Sequence, residues 1–397
     1  MPAPLGTVQL VTRIAAVLVL VFGVYAARRG SPDGLSNIAP ALLVGVAWPL
    51  LVLGSLSVRR LWRWVDPWDA MARVVEPLAG GPAPADGPDT DEMALLDETA
   101  VLDETAGPEH TSGPDEMPVA DGAPDADHMS TLSVWPGVIT AAAVVYFLVA
   151  QPGSTQPRTI GAALASYTIA MVALGVALGR RTLARTEIFG LTSRWAGQLR
   201  DGLAAGWAVP RGAEVVLGVL AGGLLFDLAR RAPSYDELLR TGALSWASSG
   251  DPERDLRVGL AVACAAGGLV LYLAARWAAR RGDRGTVAVA VLPVVLALLV
   301  VVKLRRFLVS VQLLRILVSD PLGRGKDYFG TSGASLDANP FGTGAQRGAA
   351  IVAVTLAGVI GAVAVRRRSR TSRDRDPAAY VLYLVVALAT LGLTVAV

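Results

Sequence analysis

Thr-Val-Ala-Val-Ala-Val-Leu-Pro-Val-Val-Leu-Ala-Leu-Leu-Val-Val-Val, residues 286–302, decides the fold class. No charge stands between Arg284 and Lys303, and every side of a helix built from this run is apolar. At ~1.5 Å per residue such a helix covers about 26 Å, close to the roughly 30 Å of a bilayer's hydrocarbon core. Comparable runs recur at 8–27, 38–57, 132–150, 159–178, 212–228, 258–275, 348–365 and 378–396. Most end in arginine or in a Gly/Pro turn. The chain is 53% hydrophobic and 17% charged, against about 25% charged in an ordinary soluble domain. The expected fold is an all-α integral membrane protein with about nine transmembrane helices, in contact with the lipid bilayer. Val287 to Val318 stays mostly apolar, yet Lys303, Arg305 and Arg306 interrupt it. The expectation there is a span ending near 302, then a second helix, 307–318, at the interface or re-entrant.

Three regions follow: 1–78, holding two spans and an interfacial helix; 79–131, a linker; and 132–397, a seven-helix membrane region with an ordered loop at 319–346. In the first, Leu61, Val65, Trp68, Met71 and Val75 recur at helical spacing while Arg59, Arg60, Arg63, Arg73 and Glu76 face elsewhere. Asp66-Pro67 reads as an N-cap followed by proline at the first helical position. Trp62, Trp64 and Trp68 among arginines predict an amphipathic helix at headgroup level. In the linker, residues 84–129 hold 14 Asp or Glu and no Lys or Arg, with Leu-Asp-Glu-Thr-Ala at 96–100 and again at 102–106. Such a composition cannot bury a core and predicts disorder. Both histidines, His110 and His128, lie there and read as solvated residues.

The net charge of +3 conceals an excess of base outside the linker, 36 Lys or Arg against 19 Asp or Glu. In a membrane protein that excess belongs at the headgroups, and no soluble basic face points to nucleic acid. Lysine occurs only at 303 and 326, leaving 34 arginines; this bias points to a GC-rich genome, and the acidic linker to a halophile. Basic residues are commoner on the side of the N-terminus. The positive-inside rule then places a multi-pass protein in the cell membrane with N-terminus and linker cytoplasmic and C-terminus outside. The run near 14–27 reads as a retained helix rather than a signal peptide.

The sequence has no HExxH, GxSxG or Walker loop, and no histidine in any span. An imidazole metal site cannot be assembled in the membrane, no cofactor is called for, and the single Cys264 excludes a CxxC motif. Charges at membrane depth are the remaining functional candidates. Asp227 has Arg230 and Arg231 three and four residues on, so a helix brings them together. Glu187 has no partner at helical spacing and reads as a headgroup-level residue. Arg13, alone in the first span, either snorkels or pairs with a carboxylate on another helix. In 319–331, Ser-Asp-Pro-Leu-Gly-Arg-Gly-Lys-Asp-Tyr-Phe-Gly-Thr, Gly and Pro specify a turn, while Arg324 and Lys326 can meet an anion. Gly175–Gly179 and Gly218–Gly222 are spaced for close helix packing.

That 319–331 segment resembles the fenitrothion-hydrolase-like family of prokaryotic integral membrane proteins. Val65-Asp66-Pro67-Trp68-Asp69 is similar to the family's Asn-Pro-Trp motif, Glu187-Ile188-Phe189-Gly190 with Ser193-Arg194 to its mid-chain polar segment, and Phe226-Asp227 to its Tyr/Phe-Asp pair. The resemblance implies histidines in the helices before and after 319–331. Here those regions read Val302-Lys303-Leu304-Arg305-Arg306, then Leu356-Ala357-Gly358 and Val365-Arg366, and Lys326 replaces the motif's Trp. It therefore implies the fold together with a loss of activity. The leading expectation is a non-catalytic member, a scaffold or subunit of an envelope complex, partnered by other membrane subunits. The alternatives are a hydrolase of phosphotriester-like substrates using Asp227, Asp320 and Asp327, with Arg324, Lys326, Arg194 and Glu187 binding, and a transporter using Asp227 and Arg13.

Overall fold

A computed structural model describes residues 7–58, 61–78, 135–205, 212–232, 251–280, 285–331 and 333–371, with single positions elsewhere. The linker 79–131, its repeats and both histidines lie outside the described residues, as does nearly all of the expected span 378–396. Every regular element described is a helix: α1 (Thr7–Arg29), α2 (Pro40–Ser57), α3 (Leu61–Val65), α4 (Pro67–Leu78), α5 (Trp135–Val149), α6 (Pro157–Leu178), α7 (Arg180–Thr186), α8 (Ile188–Ala205), α9 (Ala213–Ala229), α10 (Pro252–Ala279), α11 (Gly285–Leu317) and α12 (Gly342–Thr371). Six of them (α1, α2, α6, α10, α11 and α12) are long and apolar enough to cross a membrane. They coincide with six of the nine expected spans. The chain is an all-α, multi-pass membrane protein, and its spans lie in the lipid bilayer. The expected spans 132–150 and 212–228 are present as the shorter helices α5 and α9, of 15 and 17 residues.

The deciding stretch became the core. Residues 287–296 of α11 are all buried, and the helix as a whole packs chiefly on α12, α2 and α9. A helix apolar all round has no solvent face to offer, so the bundle closes around it. The break expected after 302 does not occur: α11 runs unbroken for 33 residues, ~50 Å. Lys303, Arg305 and Arg306 interrupt the apolarity and not the helix, because Lys and Arg are good helix formers and Lys303 finds a buried carboxylate.

Close approach elsewhere depends on glycine. A Cβ at Gly218 or Gly222 of α9 would run into the backbone of Gly267 or Ala263 on α10, making α9–α10 the most intimate pair. Gly179 packs against nothing and instead ends α6 with φ 82°. The first half of α2, Pro40–Ala47, is π-wound, with Gly45 against Ser310 of α11. The wide turn precedes Pro49, which has no N–H for the ordinary α ladder.

One contact constrains topology. The turn after α1 hydrogen-bonds the turn after α11, through Ser31 N to Leu322 O (2.7 Å) and Ile38 N to Pro321 O (3.2 Å). Both turns therefore lie on one side of the membrane, and an even number of crossings separates them.

The amphipathic segment 58–77 departs from expectation. It is two helices, α3 and α4, broken at Asp66, and it folds into the bundle. Trp62 and Trp68 are buried against Leu20, Met171 and Leu183, and only Trp64 is exposed. Trp68 stacks on Trp62 and on Phe189 and meets the edge of Tyr167. A surface-lying helix cannot satisfy the buried indole N–H groups, whereas here Trp62 donates to Asp66 (2.9 Å) and Trp68 to Thr168 (3.3 Å).

Candidate functional site

Three polar centres hold the candidate residues. The first joins the α3–α4 break to the α7–α8 break, bringing together two sequence segments of the family resemblance, 65–69 and 187–194. Asp66 caps α4, accepting from Trp68 N and Asp69 N at 3.0 Å, as Asp-Pro anticipates. Glu187 caps α8: Phe189 N (2.8 Å), Gly190 N and the Tyr167 hydroxyl (2.9 Å) all donate to it. It is fully buried and well partnered, where the sequence offered it no partner at helical spacing. Backbone donors two and three residues on, and a hydroxyl on another helix, are invisible to a search for charged side chains at helical spacing. Gly190 is where the motifs touch, since a Cβ there would overlap the Trp62 indole and the Glu187 carboxylate. Both breaks lie outside the six spans. Burial lifts the Glu187 carboxyl to about 8, reinforced by Asp66, and lifts Asp66 to about 6 against its backbone donors. Arg194 lies within electrostatic reach of both carboxylates, and burial lowers its pKa. Ser193 Oγ, one residue away, is buried with no hydrogen-bond partner among the described residues.

Asp69 anchors the rim of this centre. Arg13 of α1 (3.1 Å), Arg73 of α4 (3.0 Å) and Arg180 of α7 (2.7 Å) all bind its carboxylate. Burial would raise the Asp69 pKa, but Arg180 and Arg73 outweigh it and hold the carboxyl below its usual range. Arg13 thus takes the pairing role, and its guanidinium also donates to Arg63 O. Its Nη1 meets Asp69 by charge without hydrogen-bond geometry. Arg73 stands at helical spacing from Asp69 on α4, whereas Arg13 and Arg180 arrive from two other helices and are invisible in sequence.

The second centre is Asp227, wholly buried at the end of α9. Arg230 gives Nε (2.9 Å) and Nη2 (2.7 Å) to Oδ1, Arg231 gives Nη2 (2.6 Å) to Oδ2, and Lys303 Nζ stands 3.7 Å from Oδ2. The two arginines follow from helical spacing; Lys303 arrives from α11, 76 residues along.

The third is the 319–331 turn. Asp320 accepts from Lys326 N (3.0 Å), and the backbone N–H of Arg324, the main cause, holds its carboxyl below the usual range. Asp327 accepts from the Ser319 hydroxyl and from Thr331 N. Gly323 and Gly325 have φ 65° and 75°, and Gly323 presses on Ser36 O, so the turn is docked on the one after α1. Arg324 and Lys326 point outward, exposed, with Lys326 over the Tyr328 ring.

Asp227 is not brought together with Asp320 and Asp327. From Lys303 to Leu317 α11 travels 14 residues, ~21 Å, before the turn begins. Arg194 and Glu187 do share a centre; Arg13 and Asp227 share no partner. Among the described residues no three His, Cys, Asp or Glu side chains are grouped to hold a metal ion. Comparison with protein-family models, curated proteins and solved structures finds no match.

Proposed function

We propose that this chain is a non-catalytic membrane scaffold, a subunit of an envelope complex, and a member of the fenitrothion-hydrolase-like family that has given up hydrolysis. The observation that carries this is the state of Asp227. Both carboxylate oxygens are occupied by arginine donors, with the Lys303 ammonium alongside. In the region where the resemblance implies a histidine, a fixed cation stands instead. Arginine N–H groups take three of its about four acceptor sites and the Lys303 ammonium stands beside Oδ2, which leaves little to offer a metal ion, a water or a substrate. Asp320 and Asp327 are engaged in holding a turn. In this reading N-terminus and linker are cytoplasmic, and the docked turns form a rigid outer rim where exposed Tyr328 and Phe329 meet headgroups or a partner subunit.

The test is a hydrolysis assay on the purified full chain with a 4-nitrophenyl phosphotriester, with and without added Zn²⁺, Mn²⁺ or Co²⁺. The expected result is release of nitrophenol no faster than in buffer with the same metal. Metal-dependent turnover that a chelator abolishes would overturn the proposal and support the hydrolase reading.

A further inference from the structure

Among the described residues, the Asp227 centre holds more positive charge than its carboxylate can match. Arg230, Arg231 and Lys303 surround it, and Arg306, one turn beyond Lys303 on α11, lies within electrostatic reach of Arg231 and Lys303. Two arginines at the end of α9 are explained by the negative end of its helix dipole. That account does not reach Lys303 or Arg306, which belong to the middle of another helix. Arg230 and Arg231 spend one edge of each guanidinium on Asp227. The Lys303 ammonium, 3.7 Å away, is beyond hydrogen-bond distance. Arg306, half-buried, makes no ion pair among the described residues. Three cations on one carboxylate, with a fourth in reach of two of them, repel one another in partly buried surroundings unless a further anion joins them.

We propose that Arg230, Arg231, Lys303 and Arg306 form a binding site for a phosphate-class oxyanion. The donors suit that chemistry: guanidinium forks meet phosphate oxygens in pairs, and an ammonium adds a compact charge. Access is available, since the Arg230 and Arg231 side chains are 31% and 44% exposed. The phosphate comes either from an anionic lipid headgroup or from a soluble phosphate compound. The site goes beyond the scaffold reading and does not depend on it. Phosphotriester turnover would overturn that reading and leave this one standing.

The experiment is thermal unfolding of the full chain in neutral detergent. One arm compares inorganic phosphate with chloride at matched ionic strength; the other compares phosphatidylglycerol with phosphatidylcholine in mixed micelles. The expected result is a rise in midpoint of about 3–5 °C with one of the anions. Response to phosphatidylglycerol alone identifies a lipid headgroup, and response to phosphate identifies a soluble oxyanion. Arg306→Gln should lose most of the rise and Arg306→Lys part of it, keeping the charge without the fork; the second variant decides if the first does not fold. Arg315→Gln, on the exposed face of the same helix, should keep it. No response to either anion, or a response that Arg315→Gln loses as fully as Arg306→Gln, overturns the site.

Discussion

Glu187 and Asp227 are both wholly buried carboxylates, and they are solvated in opposite ways. Around Glu187 the donors are neutral: two backbone N–H groups at the start of α8 and the Tyr167 hydroxyl. Around Asp227 they are cations, two from its own helix end and one from α11. Burial raises the Glu187 carboxyl and its dipolar donors only partly offset this, so Glu187 keeps its proton to higher pH. Cations neutralise, which makes Asp227 a joint between helices whose removal strands its partners. A buried carboxylate is therefore informative only together with its donors: dipoles at a helix start make it a cap, while cations from two helices make it a joint.

The largest effect should come from cutting that joint. Asp227→Ala leaves Arg230, Arg231 and Lys303 without a counter-charge at a buried helix end. The expected loss is about 3–5 kcal/mol, enough to lower the yield of folded protein sharply. Asp227→Leu with Lys303→Met removes charge from both sides and should recover part of it. Yield and thermal midpoint in detergent measure both, and a single variant that melts like the parent would remove the contrast between the two centres.

The next effect is a pH dependence carried by the neutral-donor centre. Glu187 has a folded value of about 8 against 4.5 for a free carboxyl, and Asp66 about 6 against 3.8. The folded state therefore holds more protons than the unfolded chain between these limits, and stability falls as pH rises. The fall should begin near pH 4 and continue to about pH 8, each pKa unit being worth up to ~1.4 kcal/mol. Asp66, Arg194 and Tyr167 face Glu187, so the titration belongs to the group. Glu187→Gln should flatten the upper part of the fall, between pH 6 and 8. A melt series in which parent and variant run parallel across that window would show that Glu187 does not titrate there.

The smallest effects belong to the 319–331 turn, where the donors to Asp320 are backbone and the cations are exposed. Gly325→Val puts a β-branched residue at φ 75° and should cost about 1–2 kcal/mol. Asp320→Ala removes the acceptor of Lys326 N and should cost about 1 kcal/mol. Arg324→Ala should cost less than about 0.5 kcal/mol, because the side chain is exposed. Reversal of this order in thermal melts, with Arg324→Ala the most damaging, would make the turn a binding element instead of a brace.

Much of this is legible in the chain itself. Apolar runs of bilayer length determine a multi-pass helical protein, because backbone groups in lipid must be satisfied within a helix. Asp66-Pro67 determines a helix start, and Asp227 with Arg230 and Arg231 determines an ion pair, because both depend on neighbours within one turn. Tertiary structure alone decided the rest. It carried α11 past its charges by supplying Lys303 with Asp227, turned Trp62 and Trp68 inward, and brought Arg13 and Arg180 from two other helices onto Asp69. It also made Glu187 a buried cap beside Asp66. The physical reason is common to all four: a buried polar group needs partners, and in a helical bundle at least one of them comes from another helix, at a separation that no periodicity records.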